Sequence, residues 1–210
     1  SINMAEQSNL DAVRKKLTRW FARQLPDAEQ ITVSDLRMPG AGTSNETYFL
    51  QLSRTENGVR IEQELVIRWQ PRGFLVFPLD AYDMKQQFLL QQSLADTDVP
   101  VPPVCWQEAD AGVIGAPFYI MERVHGWIPG DFPPYHQEGG LFDSSDEEKA
   151  RIWFGVIDTM VRIHRLDWQE SGLDMLEAPI NGEFIPQQLA YWDRVAAQND
   201  DPMPTLLAET

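Results

Sequence analysis

Leu10, Val13, Leu17, Trp20 and Phe21 recur at three- and four-residue intervals, with Arg14, Lys15 and Lys16 falling between them. That period predicts an amphipathic helix with a basic outer face, with Ser8 or Asn9 placed to cap it and Pro26 just past its end. The period then changes to two. Runs at 31–38, 46–52 and 59–69 predict strands, and the Asn-Gly pair in Thr55-Glu-Asn-Gly58 predicts a tight hairpin between the last two. In the third run Ile61, Leu65 and Ile67 are apolar where Glu62 and Glu64 are not. Alternation therefore sets Arg68 opposite to Leu65, Ile67 and Trp69, on the face of Val66 and Glu64.

Residues 81–95 predict a second helix, with Met84/Phe88 and Leu90/Leu94 four apart. The prolines of Asp96-Thr-Asp-Val-Pro-Val-Pro-Pro103 end it and favour an extended crossing. Strands are predicted at 104–108 and 118–124, on either side of a turn at Asp110-Ala-Gly112. This order predicts an α+β lobe: a five-stranded antiparallel sheet paired sequentially, with helices on one face. Residues 126–143, rich in Pro, Gly and aromatics, predict a long irregular loop, in which Trp127, Phe132 and Tyr135 either line a substrate mouth or pack the loop itself. Ser145-Asp-Glu-Glu148 is a capping box opening a strongly amphipathic helix. Its stripe of Trp153, Val156, Ile157, Met160 and His164 is expected to be buried, and a last helix is predicted at 186–197.

Composition narrows the function classes. With 210 residues, 43% hydrophobic, the chain is long enough for one large domain or two small lobes. Its 17 basic and 32 acidic residues give a net charge of −15, which repels phosphate backbones and argues against nucleic acid. Cys105 stands alone, so an intrachain disulfide and a thiolate metal site are both excluded, and a reducing cytoplasm is the expected setting. No apolar run approaches a membrane span and no signal-peptide pattern is visible, so no membrane partner is expected. His125 and His136 lack metal-ligand spacing, and His164 reads as a core histidine.

The candidate chemistry lies in Pro39-Gly-Ala-Gly-Thr-Ser-Asn-Glu-Thr-Tyr-Phe-Leu50 and Leu65-Val-Ile-Arg-Trp69. A small, hydroxyl-rich turn between strands, followed by one cation on the next strand, is a way to grip a triphosphate. Alone, Gly40-Ala-Gly42 is an ordinary loop, neither a Walker A sequence nor a full dinucleotide fingerprint. Together with Thr97-Asp-Val-Pro-Val-Pro102, Gly115-Ala-Pro-Phe-Tyr-Ile-Met-Glu-Arg-Val-His-Gly126 and Ile163-His-Arg-Leu-Asp-Trp168, in this order, the chain resembles the aminoglycoside phosphotransferase-like family.

The resemblance implies a protein-kinase-like fold: a nucleotide-binding lobe at 1–121, a hinge at 122–126, and the start of a helical lobe at 127–210. It implies ATP or GTP with Mg²⁺ as cofactor and a small-molecule hydroxyl as acceptor. Gly40, Gly42, Thr43, Ser44 and Asn45 would cover the phosphates, and Arg68 would reach them as a planar, permanently charged fork. Met121 would back the base, with the Glu122 carbonyl and Val124 N–H pairing with it. Gln87 stands where the family's second helix carries a Glu for the strand cation; a shift of one turn would make Asp83 the partner.

The family's His-Gly-Asp catalytic loop, with Asn five residues later, has no counterpart here, nor has the later metal-binding Asp motif. His164-Arg-Leu-Asp167 mimics the former, but Gly172 stands where the Asn belongs; Asp131-Phe-Pro133 mimics the latter but comes too early. The chain is expected to stop inside the helical lobe, to bind nucleotide without catalysing transfer, and to self-associate through exposed helices. The rival readings are a non-catalytic, pseudokinase-like nucleotide module and a protein-interaction scaffold using the long loop.

Overall fold

The computed structural model describes residues 4–39, 46–72, 79–126, 134–173 and 184–198. The helical stripe of Leu10, Val13, Leu17, Trp20 and Phe21 is buried on one face of α1 (Met4–Gln24). This helix already includes Ser8 and Asn9, which therefore do not cap it. Ala5, Glu6 and Gln7 are good helix formers and carry the helix back beyond the apolar stripe.

Five antiparallel strands follow: β1 (Glu29–Val33), β2 (Glu46–Glu56), β3 (Val59–Trp69), β4 (Val104–Glu108) and β5 (Phe118–Glu122), in the order β1-β2-β3-β5-β4. The β2–β3 hairpin turns at Asn57 (φ 51°) and Gly58 (φ 77°), the two left-handed positions that an Asn-Gly turn supplies. The first strand is shorter than predicted. It stops at Val33, and Arg37 returns only as an isolated bridge to Phe49.

Sequential pairing fails after β3, which pairs with β5 while β4 lies at the edge. Burial explains the swap. Phe118, Tyr119 and Ile120 are all buried, so β5 needs cover on both faces and neighbours on both sides, whereas β4 is half-buried throughout. The helices consequently cover opposite faces rather than one. Leu65, Ile67, Trp69, Phe118 and Ile120 pack with the α1 stripe, and Trp20 Nε1 ties α1 to β4 by donating to Glu108 Oε2 at 2.9 Å. On the other face Tyr119 packs with Tyr82 and Met84, joined by Phe88, Val104 and Met121, beneath α2 (Met84–Leu94).

Within the long loop α3 (Gly140–Asp143) forms a single turn, while Trp127 and Phe132 lie outside the described residues. Helix α4 (Asp146–Arg165) opens on the predicted capping box: Glu148 N–H donates to Ser145 Oγ at 3.2 Å, and Ser145 N–H to Glu148 Oε2 at 2.9 Å. Its apolar stripe is not buried. Trp153, Val156, Ile157, Met160 and His164 are all exposed, which also removes His164 from any core. Helix α5 (Phe184–Gln198) likewise exposes Ile185, Leu189 and Trp192. An amphipathic pattern reports which residues favour burial, and among the described residues little covers these. Arg162 Nη1 donating to Asp98 O at 3.0 Å and Ser93 Oγ donating to Gly172 O at 3.3 Å join the helices to the sheet lobe.

Candidate functional site

Alternation along β3 gives the sheet a second face, and the polar groups of interest gather there. Val66 lies across from Phe49 of β2 and Met121 of β5; Arg68 lies across from Thr47 and Tyr119. Arg68 Nη1 donates to the Tyr119 hydroxyl at 3.1 Å, and the guanidinium carbon stands 5.9 Å from the centre of that ring. Tyr119 itself is completely buried, edge-on to Phe88 of α2. The predicted cation is thus on the predicted face, held by a rigid neighbour on the adjacent strand.

The helix partner is not where it was expected. Gln91 Nε2 donates to the same Tyr119 hydroxyl at 3.1 Å, so the amide linked to the cation is Gln91, one turn beyond Gln87. Asp83, the other candidate, is the N-cap of α2 and accepts from Lys85 N–H at 2.8 Å and Gln86 N–H at 3.0 Å. Gln87 contributes its backbone N–H to the Asp83 carbonyl at 3.1 Å. The α2 segment Met84–Leu94 contains no acidic residue at all.

At the other end of the face, β5 ends at Glu122, whose N–H donates to Pro103 O at 2.8 Å. The following residues are tied to one residue of β3, Glu64, through both its backbone and its carboxylate. Arg123 N–H donates to Glu64 O at 3.1 Å, Arg123 Nη1 donates to Glu64 Oε1 at 3.3 Å, and His125 Nε2 lies 2.6 Å from Glu64 Oε2. The Arg123 guanidinium also lies 4.3 Å from the Phe49 ring centre, a cation–π contact. Met121 is half-buried beside the Tyr82–Met84 cluster, and Val124 is exposed, with no backbone partner for its N–H among the described residues. Gly40, Gly42, Thr43, Ser44 and Asn45 lie outside the described residues; β2 begins at Glu46, and Thr47 sits across the ladder from Arg68.

Phe49, Glu64, Gln91 and Tyr119 had no site role assigned from the sequence, and Arg123 stood there only as a member of the expected hinge. Glu64 alone carried a signal, because it shares the alternating face of Val66 and Arg68. The others depend on how separate elements meet. Among the described residues no three His, Cys, Asp or Glu side chains cluster as metal ligands.

The sequence pattern of the phosphotransferase enzyme family designated APH matches residues 35–209. A crystal structure from Ralstonia eutropha JMP134, provisionally assigned as an aminoglycoside phosphotransferase, superposes with a TM-score of 0.55 over 90% of this chain and 49% of its own, at 24% identity. That likeness supports the kinase-like α+β fold. Among curated proteins, the mouse acyl-CoA dehydrogenase family member 10 is 29% identical over 153 residues, 73% of this chain and 12% of that protein. The rat family member 11 is 29% identical over 164 residues, 78% of this chain and 18% of that protein. The human family member 11 is 28% identical over 182 residues, 85% of this chain and 20% of that protein. The chain spans no more than a fifth of the length of these relatives. A family pattern covering most of the sequence, on a sheet with a matching fold, is decisive: the chain belongs to the APH phosphotransferase enzyme family.

Proposed function

We propose that this chain grips ATP or GTP on the α2-side face of its sheet and serves transfer of the γ-phosphoryl to a hydroxyl of a small molecule. The observation that carries this reading is Arg68, a cation on a central strand fixed by the buried Tyr119, with the 122–125 segment at the other end of the same face. The base would pair with the Glu122 carbonyl and Val124 N–H in front of Met121. Gly40, Gly42, Thr43, Ser44 and Asn45 would cover the phosphates that Arg68 neutralises. Phosphoryl transfer asks for positioning and charge stabilisation rather than covalent chemistry, and this face supplies both.

The described residues present no metal-binding cluster, so Mg²⁺ would enter as the companion of the triphosphate, and no step is assigned to it. No catalytic aspartate is assigned within residues 1–210, so this chain alone is expected to bind and not to turn over. The names of the relatives and of the structural neighbour suggest acyl-CoA compounds and aminoglycosides as the acceptors to try. A second reading, nucleotide binding without catalysis, is favoured by the absence of an acidic residue in α2. Thermal denaturation with millimolar ATP, GTP or adenosine tests the shared premise, since a ligand of the folded state raises its melting temperature. A larger rise with a triphosphate than with adenosine is expected. No rise with any of the three would leave an interaction scaffold as the better account.

A further inference from the structure

We propose that the Glu64 carboxylate positions the segment that receives the base, by holding the residues on either side of Val124 to the sheet. The inference rests on the reading of the 122–125 segment as the base-binding edge. Its geometry is independent of that reading: Glu64 Oε1 accepts from Arg123 Nη1 at 3.3 Å, and Glu64 Oε2 lies 2.6 Å from His125 Nε2. A carboxylate only accepts, so His125 Nε2 carries the hydrogen it donates. The two oxygens thus take one partner each, and Val124 lies between those partners in the chain.

The backbone is fixed by the sheet up to Arg123 and released after it. Glu122 N–H donates to Pro103 O at 2.8 Å and Arg123 N–H to Glu64 O at 3.1 Å, which carries the β3–β5 pairing one residue past Glu122. For Val124 and His125 no backbone hydrogen bond follows among the described residues. Side chains take over where the ladder ends. The Arg123 guanidinium stands 4.3 Å from the centre of the Phe49 ring while donating to Glu64, so both β2 and β3 hold it. Phe49 is itself fixed, exchanging backbone hydrogen bonds with Arg37 at 3.0 and 2.7 Å.

Exposure decides what these contacts are for. The side chains of Glu64, Arg123 and His125 are 48%, 34% and 65% exposed, and ion pairs in such settings contribute little to folding. Their effect is local. Two tethers flanking one residue reduce the conformations open to Val124 before a ligand arrives, and a ligand that reads backbone groups then loses less entropy on binding. The base contacts proposed here, the Glu122 carbonyl and the Val124 N–H, are of that kind. Glu64 is thus a positioning residue whose influence falls on the base, while Arg68 lies further along β3 at the phosphate end of the face.

The test compares the parent chain with Glu64→Ala, Glu64→Gln and Arg123→Met by calorimetric titration with ATP, adenosine and inorganic tripolyphosphate, or with GTP and guanosine where the parent prefers them. Glu64→Ala is expected to weaken nucleotide and nucleoside by the same factor, about fivefold, and tripolyphosphate by less than about twofold. Arg123→Met keeps the length of the side chain beside Phe49 and should act in the same direction, by roughly threefold. Glu64→Gln offers its carbonyl to Arg123 and its amide to the other tautomer of His125, and should restore most of the affinity. A readout that a merely structural role would not move is the NMR order parameter of the Val124 N–H, which should fall in Glu64→Ala while those of β3 and β5 stay at the parent's values. Parental nucleoside affinity in Glu64→Ala, a loss confined to the triphosphate, or an unchanged Val124 order parameter overturns the inference. Should Glu64→Ala unfold, Arg123→Met carries the same comparison, and parental affinity there overturns it too. A parent that binds neither nucleotide nor nucleoside overturns the nucleotide reading itself, and the base role of Glu64 with it.

Discussion

Two single residues carry predictions that need no knowledge of the phosphoryl acceptor. Met121 sits half-buried beside Tyr82 and Met84, where the base is proposed to rest. Met121→Trp should fill that space and weaken adenine nucleotides at least ~10-fold, with a smaller effect on melting temperature because the site opens to solvent on one side. Competition against a fluorescent adenine nucleotide reads this directly; parental affinity would move the base elsewhere. Glu122→Ala is the control, since base recognition there uses backbone groups. Cys105 tests the packing of β4 independently of any ligand. Burial, reinforced by the Glu122 carboxylate, pushes its thiol up from 9.0 to about 11. Folding therefore retains the thiol proton after the unfolded chain has lost it. Below pH 9 the thiol adds no slope; between pH 9 and about 11 stability falls as pH rises. Cys105→Ala should flatten that part of a melting-temperature profile, and an unchanged profile would place the thiol in contact with water.

At the scale of elements, the α2 start separates two roles that sequence alone left open for Asp83. As an N-cap it accepts from two backbone N–H groups, a role that Asn fills equally well and Ala does not. Asp83→Ala should cost ~1 kcal/mol in urea denaturation, whereas Asp83→Asn should be near neutral in both stability and ATP affinity. A fall in ATP affinity for Asp83→Asn would restore it as the charge partner of Arg68. The same helix shows why legibility ended where it did. Apolar spacing identified 81–95 as helical, and alternation set the face of Arg68, because both periods are local properties of the chain. The choice of Gln91 over Gln87 is a matter of one helical turn, set by where α2 crosses β5, and no local period encodes a crossing point. The order β3-β5-β4 was hidden for the same reason. The tether of Arg123 and His125 to Glu64 joins positions about sixty residues apart and left no mark in either segment.

For the molecule as a whole, two opposed features decide its behaviour in solution. Helices α4 and α5 present Trp153, Phe154, Val156, Ile157 and Met160, and Ile185, Leu189 and Trp192, as exposed apolar surface. Contiguous apolar surface of this kind drives association wherever a second surface is available to cover it. Against this acts a net charge of −15, which makes two copies repel at low salt. Screening shortens the range of that repulsion from about 30 Å at 0.01 M ionic strength to roughly 10 Å at 0.1 M, while leaving the apolar term intact. Sedimentation of the chain should therefore show association that increases with salt, the reverse of an assembly held by ion pairs. Trp153→Lys with Ile157→Lys should return it to monomer, since both side chains are already exposed and their loss removes no packing from the sheet lobe. The melting temperature of that lobe should stay within a few degrees of the parent's. A monomer at every salt concentration, or a double variant that associates as strongly as the parent, would show that these helix faces do not govern assembly.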